Sequence, residues 1–322
     1  QKSSPGIYSI WPKFHQNFPV LAQKVNDVAK SRMVNVSLPS LRVDSISLDV
    51  LENINGVKKS SITFAPEAGS QRLRDVINKN ITKDDILNGC KLAFLKGYSS
   101  VKLYFMIGLP TETFEDLREI VDLANSIVDL YYSLPKEKQN GKCQVTVSTS
   151  TFVPKAHTPF QWFGQNSAEK IELKQKFLRD NLKGKNLKYN WHNSKTSVLE
   201  AVIARGDEKI SNLIYYAWVY GAKLDSFEEK LNLEAWDKAF RKLGFKPEDY
   251  ACKEYDLDYE FAWDNIMHGV SKEFLKREYK KALKAETTDR CSDNNCSFCG
   301  VSLISKCKFI ENYKLKSVGK VK

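Results

Sequence analysis

The stretch VKLYFMI, Val101–Ile107, is an apolar run of strand length, and its surroundings constrain the fold more than any other feature. A run apolar on both faces is what a parallel strand covered on both sides requires. Before it lies a helix-like stretch that begins at Thr82. There Thr82 and Asp85 have the spacing of a capping box, and Ile86, Cys90, Ala93 and Phe94 fall on one face before Gly97 ends it. After it, Leu117, Ile120, Val121, Ala124, Ile127 and Val128 repeat at helical spacing, which predicts a long amphipathic helix.

The same alternation runs through the first half of the chain. VNVSL (Val34–Leu38), SITFA (Ser61–Ala65) and QVTVSTSTFV (Gln144–Val153) read as further strands, separated by helix-like segments such as SQRLRDVINKN. Strand, helix, strand at this spacing predicts βαβ units and a parallel sheet. In such folds chemistry gathers where strands end. The unusual sequence lies at those ends: SLPSLRVD, APEAGS, GLPTET and VPKAHTPFQW. Beyond about residue 163, charged helical segments dominate, with KNLKYNWHN as a small strand among them. This gives three regions: 1–163, 164–290 (mostly helical) and a cysteine-rich basic tail, 291–322.

Composition removes several classes. The chain has 322 residues, 42% of them hydrophobic, so a core forms without disulfides or metal. No stretch approaches about 18 uninterrupted apolar residues, so no membrane span is expected. The net charge of +11 suits RNA or another anionic partner, and equally a solvated lysine-rich surface. Of seven cysteines, Cys90, Cys143 and Cys252 are isolated and read as small buried hydrophobes. Cys291, Cys296, Cys299 and Cys307 are clustered. With no secretory signal visible, a reducing cytoplasm and a metal are expected rather than disulfides.

Two strand ends carry candidate chemistry. In TFAPEAGSQRLRDV, Glu67 stands where a carboxylate can accept hydrogen bonds from an amine or a ribose hydroxyl. Gly69 permits close backbone approach, and Ser70 is placed to cap the next helix. The alternative is a glutamate merely favoured by the dipole of that helix. In YFMIGLPTET, the bare backbone of Gly108 at an apolar strand end suits a flat purine.

Taken in order, SLPSLRVDS, TFAPEAGSQRLRDVINKNIT, KLYFMIGLPTET and FVPKAHTPFQW resemble the radical SAM superfamily over residues 33–165. The pattern is most similar to the methylthiotransferase-like and Elp3-like branch, whose domain is often preceded by a cobalamin-binding-like domain. The resemblance implies a partial (β/α)6 TIM-barrel-like core followed by a mostly helical extension. It implies S-adenosylmethionine (SAM) bound on a [4Fe–4S] cluster and cleaved to a 5′-deoxyadenosyl radical. It places Glu67 at the ribose or methionine end, with Gly69, Ser70 and Arg72 beside it. Gly108 and Pro110 border the adenine, and Arg42, Lys155 and His157 face the cavity toward substrate. A lone histidine such as His157 is as readily a turn-fixing residue.

One departure is plain. The C-x3-C-x2-C cluster loop of the family is absent, and no cysteine precedes Cys90. The visible strands would be the third to sixth, so the expectation is an N-terminally truncated chain, inactive alone. The terminal C-x4-C-x2-C lies in the wrong order to replace that loop. It is expected to hold a structural zinc or an auxiliary iron–sulfur cluster, with Cys307 or the remote His268 as fourth ligand. A non-catalytic RNA-binding module is the alternative function.

Overall fold

The computed structural model describes residues 61–307, apart from 226, 293 and 294, together with residues 24, 27, 28, 31 and 32. Arg42, the Val34–Leu38 strand and the SLPSLRVD strand end lie outside the described residues.

The sheet has four parallel strands in the order β1 (Ile62–Glu67), β2 (Ser100–Ile107), β3 (Gln144–Thr151) and β4 (Leu187–Trp191). Between β1 and β2 run α1 (Gln71–Val76) and α2 (Lys83–Leu95); α3 (Phe114–Ser133) joins β2 to β3, and α4 (Ala168–Asn181) joins β3 to β4. This is the mixed α/β architecture expected of a partial barrel. The strand in KNLKYNWHN is real, and it takes a place the sequence did not assign: it extends the sheet beyond β3, with Val145–Thr149 registered against Leu187–Trp191.

The helices begin where the sequence predicts. Thr82 and Thr113 form full capping boxes with Asp85 and Asp116, and Ser70 caps α1 by accepting from the Leu73 N–H at 3.1 Å. Each box satisfies helix-start donors that would otherwise be orphaned. Ile86, Cys90, Ala93 and Phe94 of α2 are fully buried, as are Leu117, Ala124 and Ile127 of α3. They pack on Phe64, Leu103, Phe105, Val145 and Val147, the helix-facing set of the strands. Side chains alternate across a strand. The opposite sheet face therefore carries Thr63 of β1, before the strand's bulge, with Lys102, Tyr104 and Met106 of β2, Thr146, Ser148 and Ser150 of β3, and Lys188 and Asn190 of β4.

Beyond the sheet come α5 (Ser194–Arg205), α6 (Lys209–Val219), α7 (Leu233–Leu243), the short α8 (Glu248–Ala251) and α9 (Lys272–Leu283). α9 returns to the strand ends. Its Ala282 joins Ala68, Leu73, Val76, Leu109 and Phe152 in a second apolar cluster. Asn78 and Thr288 clamp this return with two hydrogen bonds: the Asn78 side chain donates to the Thr288 carbonyl at 3.2 Å and accepts from its N–H at 3.0 Å. No helix among the described residues is long and apolar enough to cross a membrane.

Candidate functional site

The site is built where β1 and β2 end. Glu67 is the last residue of β1 and has φ of 69°, in the left-handed region that non-glycine residues seldom adopt. It precedes α1 rather than lying in its first turn, so the helix-dipole alternative does not describe it. Its carboxylate is half-buried and meets Lys79 Nζ at 3.3 Å. A bulge in the β1–β2 pairing falls between Phe64 and Glu67, and bulges re-aim side chains at sites of this kind.

The loop that follows is pinned from beneath. Arg74 is 1% exposed, and its guanidinium donates to the carbonyls of Gly69 at 2.7 Å, Ile81 at 3.1 Å and Ala68 at 3.2 Å, and to Gln71 Oε1 at 3.0 Å. Burial pulls its pKa down, and the nearby Asp75 and Glu119 carboxylates work against that fall. Gly69 is required for packing. A Cβ there would stand 2.4 Å from the Asp116 carbonyl oxygen and 2.7 Å from Ile120 Cγ1, both on α3.

Asp116 unites the two motif loops. It accepts from the Ser70 hydroxyl, from Arg72 Nη2, and from the Thr113 N–H at 2.8 Å and hydroxyl at 3.0 Å. Burial alone would raise its pKa, but these donors outweigh burial and hold the carboxyl below its ordinary value. Arg72 reaches on to the Thr111 hydroxyl at 3.0 Å and carbonyl at 2.9 Å. Ser70 and Arg72 thus direct their hydrogen bonds to the second loop.

That second loop turns at Gly108, with φ of 78°. The Gly108 N–H donates to Glu112 Oε2 at 2.7 Å, and Lys174 of α4 meets the same oxygen at 2.6 Å. The Glu112 side chain is 1% exposed. Burial pushes its carboxyl up, and the Lys174 charge with both hydrogen bonds only partly offsets that. Pro110 is buried in the same turn. A Cβ on Gly108 would rest in ordinary van der Waals contact with the Asn166 side chain at 3.6 Å, so space alone does not demand glycine there, whereas the positive φ favours it. Asp116, Arg74, Glu112 and Lys174 all escaped the sequence reading. Only Asp116 had a local signal, the capping-box spacing from Thr113.

The remaining candidates lie apart from this pair of loops. Lys155 forms a 2.6 Å ion pair with Glu200 of α5, both about half exposed. His157 has φ of 58°, and its N–H donates to Gln161 Oε1 at 3.0 Å. Its ring meets that of His268 edge-on, with centroids 3.7 Å apart, in a cavity of about 290 Å³ lined also by Asp264, Met267, Gly300 and Ile304. Burial, then the neighbouring His268, lowers its pKa.

The cysteines divide as the sequence suggested. Cys90 and Cys143 are buried, Cys252 partly so, and burial raises the pKa of all three. Cys291, Cys296, Cys299 and Cys307 are partly exposed and free. Their segment docks on α9: Ser271 donates its N–H to the Cys299 carbonyl at 2.8 Å, and Arg277 donates to the Ser297 carbonyl at 2.9 Å. Among the described residues, no three His, Cys, Asp or Glu side chains converge in a metal-binding group.

The residues fit the two implied cofactor parts differently. A half-buried carboxylate at one strand end and a glycine turn at the next fit the ribose and purine of SAM. Beside them the Thr151 hydroxyl, in register with Ile107, is buried without a partner. The thiolates of a SAM-binding cluster do not fit this chain, since its first cysteine, Cys90, is fully buried inside α2.

Comparison with known proteins gives a family for the first part of the chain. Residues 9–124 match the Radical SAM superfamily. An uncharacterized protein of Methanocaldococcus jannaschii is 36% identical over 186 residues, which cover 57% of this chain and 38% of that relative. The chain thus spans well under half of the length of the relative it matches.

Proposed function

We propose, from the premise that the chain carries a radical SAM superfamily domain over residues 9–124, that its strand ends form the SAM-binding side of a radical SAM enzyme. The observation that carries this reading is the joining of the two motif loops through Asp116, which holds Glu67 and Gly108 at adjacent strand tips. Membership of the superfamily implies SAM and a [4Fe–4S] cluster in general. When bound together, these supply a 5′-deoxyadenosyl radical.

The chain's own residues have simpler tasks. Glu67 accepts hydrogen bonds from the ribose hydroxyls or the amino group. Gly108 and Pro110 border the adenine, and Gly108 can do so because its N–H is already spent on Glu112 and its Cα is bare. Ser70, Arg72 and Arg74 position the Glu67 loop rather than touch the ligand. We extend this reading to the branch with a preceding cobalamin-binding-like domain; a metal at the terminal cysteines would require these side chains to draw together, since no three of them converge among the described residues.

Residues 1–89 supply no thiolate, so this chain alone is expected to bind SAM weakly and to release no 5′-deoxyadenosine. Equilibrium dialysis with labelled SAM should show weak binding that Glu67→Ala abolishes. Anaerobic incubation with dithionite and SAM should give no 5′-deoxyadenosine by chromatography. Cleavage by the isolated chain would overturn the second statement, and binding indifferent to Glu67→Ala the first.

A further inference from the structure

Parallel strands covered on both faces are apolar on both, and barrel interiors are filled by branched apolar side chains. The sheet face turned away from the helices breaks that rule. In register across it stand Thr63, Lys102, Thr146 and Lys188, one from each strand. The next rung holds Tyr104, Ser148 and Asn190. Lys102 is half-buried, Lys188 and Asn190 are exposed, and Tyr104 is 39% exposed. Hydroxyls, amines and an amide in this pattern describe a polar, hydrated face, not a packed core.

The two lysines share one rung with a single strand between them. Their backbones are therefore two strand spacings apart, about 10 Å. Long flexible stems let both ammonium groups meet on one anion above Thr146. Lys102 Nζ lies 4.7 Å from the Tyr104 ring centroid. Neither lysine has a carboxylate partner among the described residues, unlike Lys79, Lys155 and Lys174. Glu67 registers with Phe105, three residues further along β2 than Lys102, so the rung lies about 10 Å below the cofactor level.

We propose that this face is the substrate chamber and that Lys102 and Lys188 hold the phosphate or carboxylate of a small anionic substrate, with Tyr104, Ser148 and Asn190 contacting its middle. The inference rests on reading the strand tips as the cofactor site. An anion fixed at the rung would leave the other end of a molecule about 10 Å long facing the tips.

The test is calorimetric titration of the full chain with inorganic pyrophosphate and with citrate, at fixed ionic strength. Binding of either supports the proposal, and the better probe tells phosphate from carboxylate. Lys102→Gln and Lys188→Gln should each weaken it on the order of tenfold, as loss of one charge-assisted contact does. Lys185→Gln, on the loop before β4, should leave it unchanged, and matching circular dichroism spectra should show that all variants fold. Failure of both probes, or equal binding by wild type and the double variant, overturns the proposal. SAM dialysis on the same variants reads the cofactor assignment separately. Anion binding without SAM binding sinks that assignment and leaves the rung standing; the reverse result sinks the rung alone.

Discussion

Asp116 accepts a hydrogen bond from Ser70, 46 residues earlier, and this bond fixes one motif loop against the helix that follows the other. The carboxylate is 4% exposed, so its partners are not competing with bulk water. Asp116→Asn keeps the shape but loses the charge and one acceptor oxygen. The expected cost is about 1.5–3 kcal/mol, the usual worth of hydrogen bonds to a charged group. The folded-state pKa is lowered, so this stability is present above the unfolded value of about 3.9 and is lost as pH falls through the folded value. Urea unfolding of both proteins should differ most above pH 5 and converge in acid. A constant difference down to pH 2 would contradict this role.

Arg74→Met should be more damaging than any change at Arg72. Methionine matches the stem but leaves the Ala68, Gly69 and Ile81 carbonyls without their donor. Each orphaned buried group costs about 1–3 kcal/mol. A loss near 3 kcal/mol or more is expected, with SAM binding abolished even where the fold survives. Arg72→Met, at an exposed position, should remain folded. Equal melting temperatures for the two variants would refute the distinction.

Two glycines give a sharper contrast. Gly69→Ala drives a methyl into the α3 backbone, where nothing can move aside cheaply, and overpacking of this sort costs about 3 kcal/mol. Gly141→Ala, at φ of 76° with nothing within 4 Å, should cost about 1 kcal/mol of backbone strain alone. Denaturant midpoints decide the order, and a reversed order would mean that α1 and α3 do not pack as described.

The Glu112–Lys174 pair should behave as a unit. Lys174→Met leaves a carboxylate buried with only the Gly108 N–H, and breaking such a pair costs about 3–5 kcal/mol. Adding Glu112→Gln should recover a substantial part, because a neutral amide suits the dry turn that already pushes the carboxyl upward. A double-mutant cycle measures this coupling. Additive losses would show that the two groups act independently.

The elements that sequence reading captured are those whose signals are local. The capping box at Thr82, the apolar strand at Val101–Ile107 and the buried faces of α2 and α3 all have their causes within a few residues. β4 was legible as a strand but not as a sheet member. Its side chains are mostly exposed, and what places it is pairing to β3 some 40 residues away, as in the Thr149–Tyr189 hydrogen bond. At the site, Glu67 and Gly108 were legible from strand-end chemistry. Arg74 was not, since an arginine in a short helix reads as surface until three carbonyls are seen to surround it. Lys174 was not, since it meets Glu112 across 62 residues.

β4 pairs with β3 along one side, and among the described residues its other edge carries no strand. A closed barrel admits molecules through its mouth and so selects by girth. Among the described residues, the sheet stops at a five-residue edge strand and is open from that flank, beside Lys188 and Asn190. What enters there is selected by how deep it reaches rather than by how wide it is.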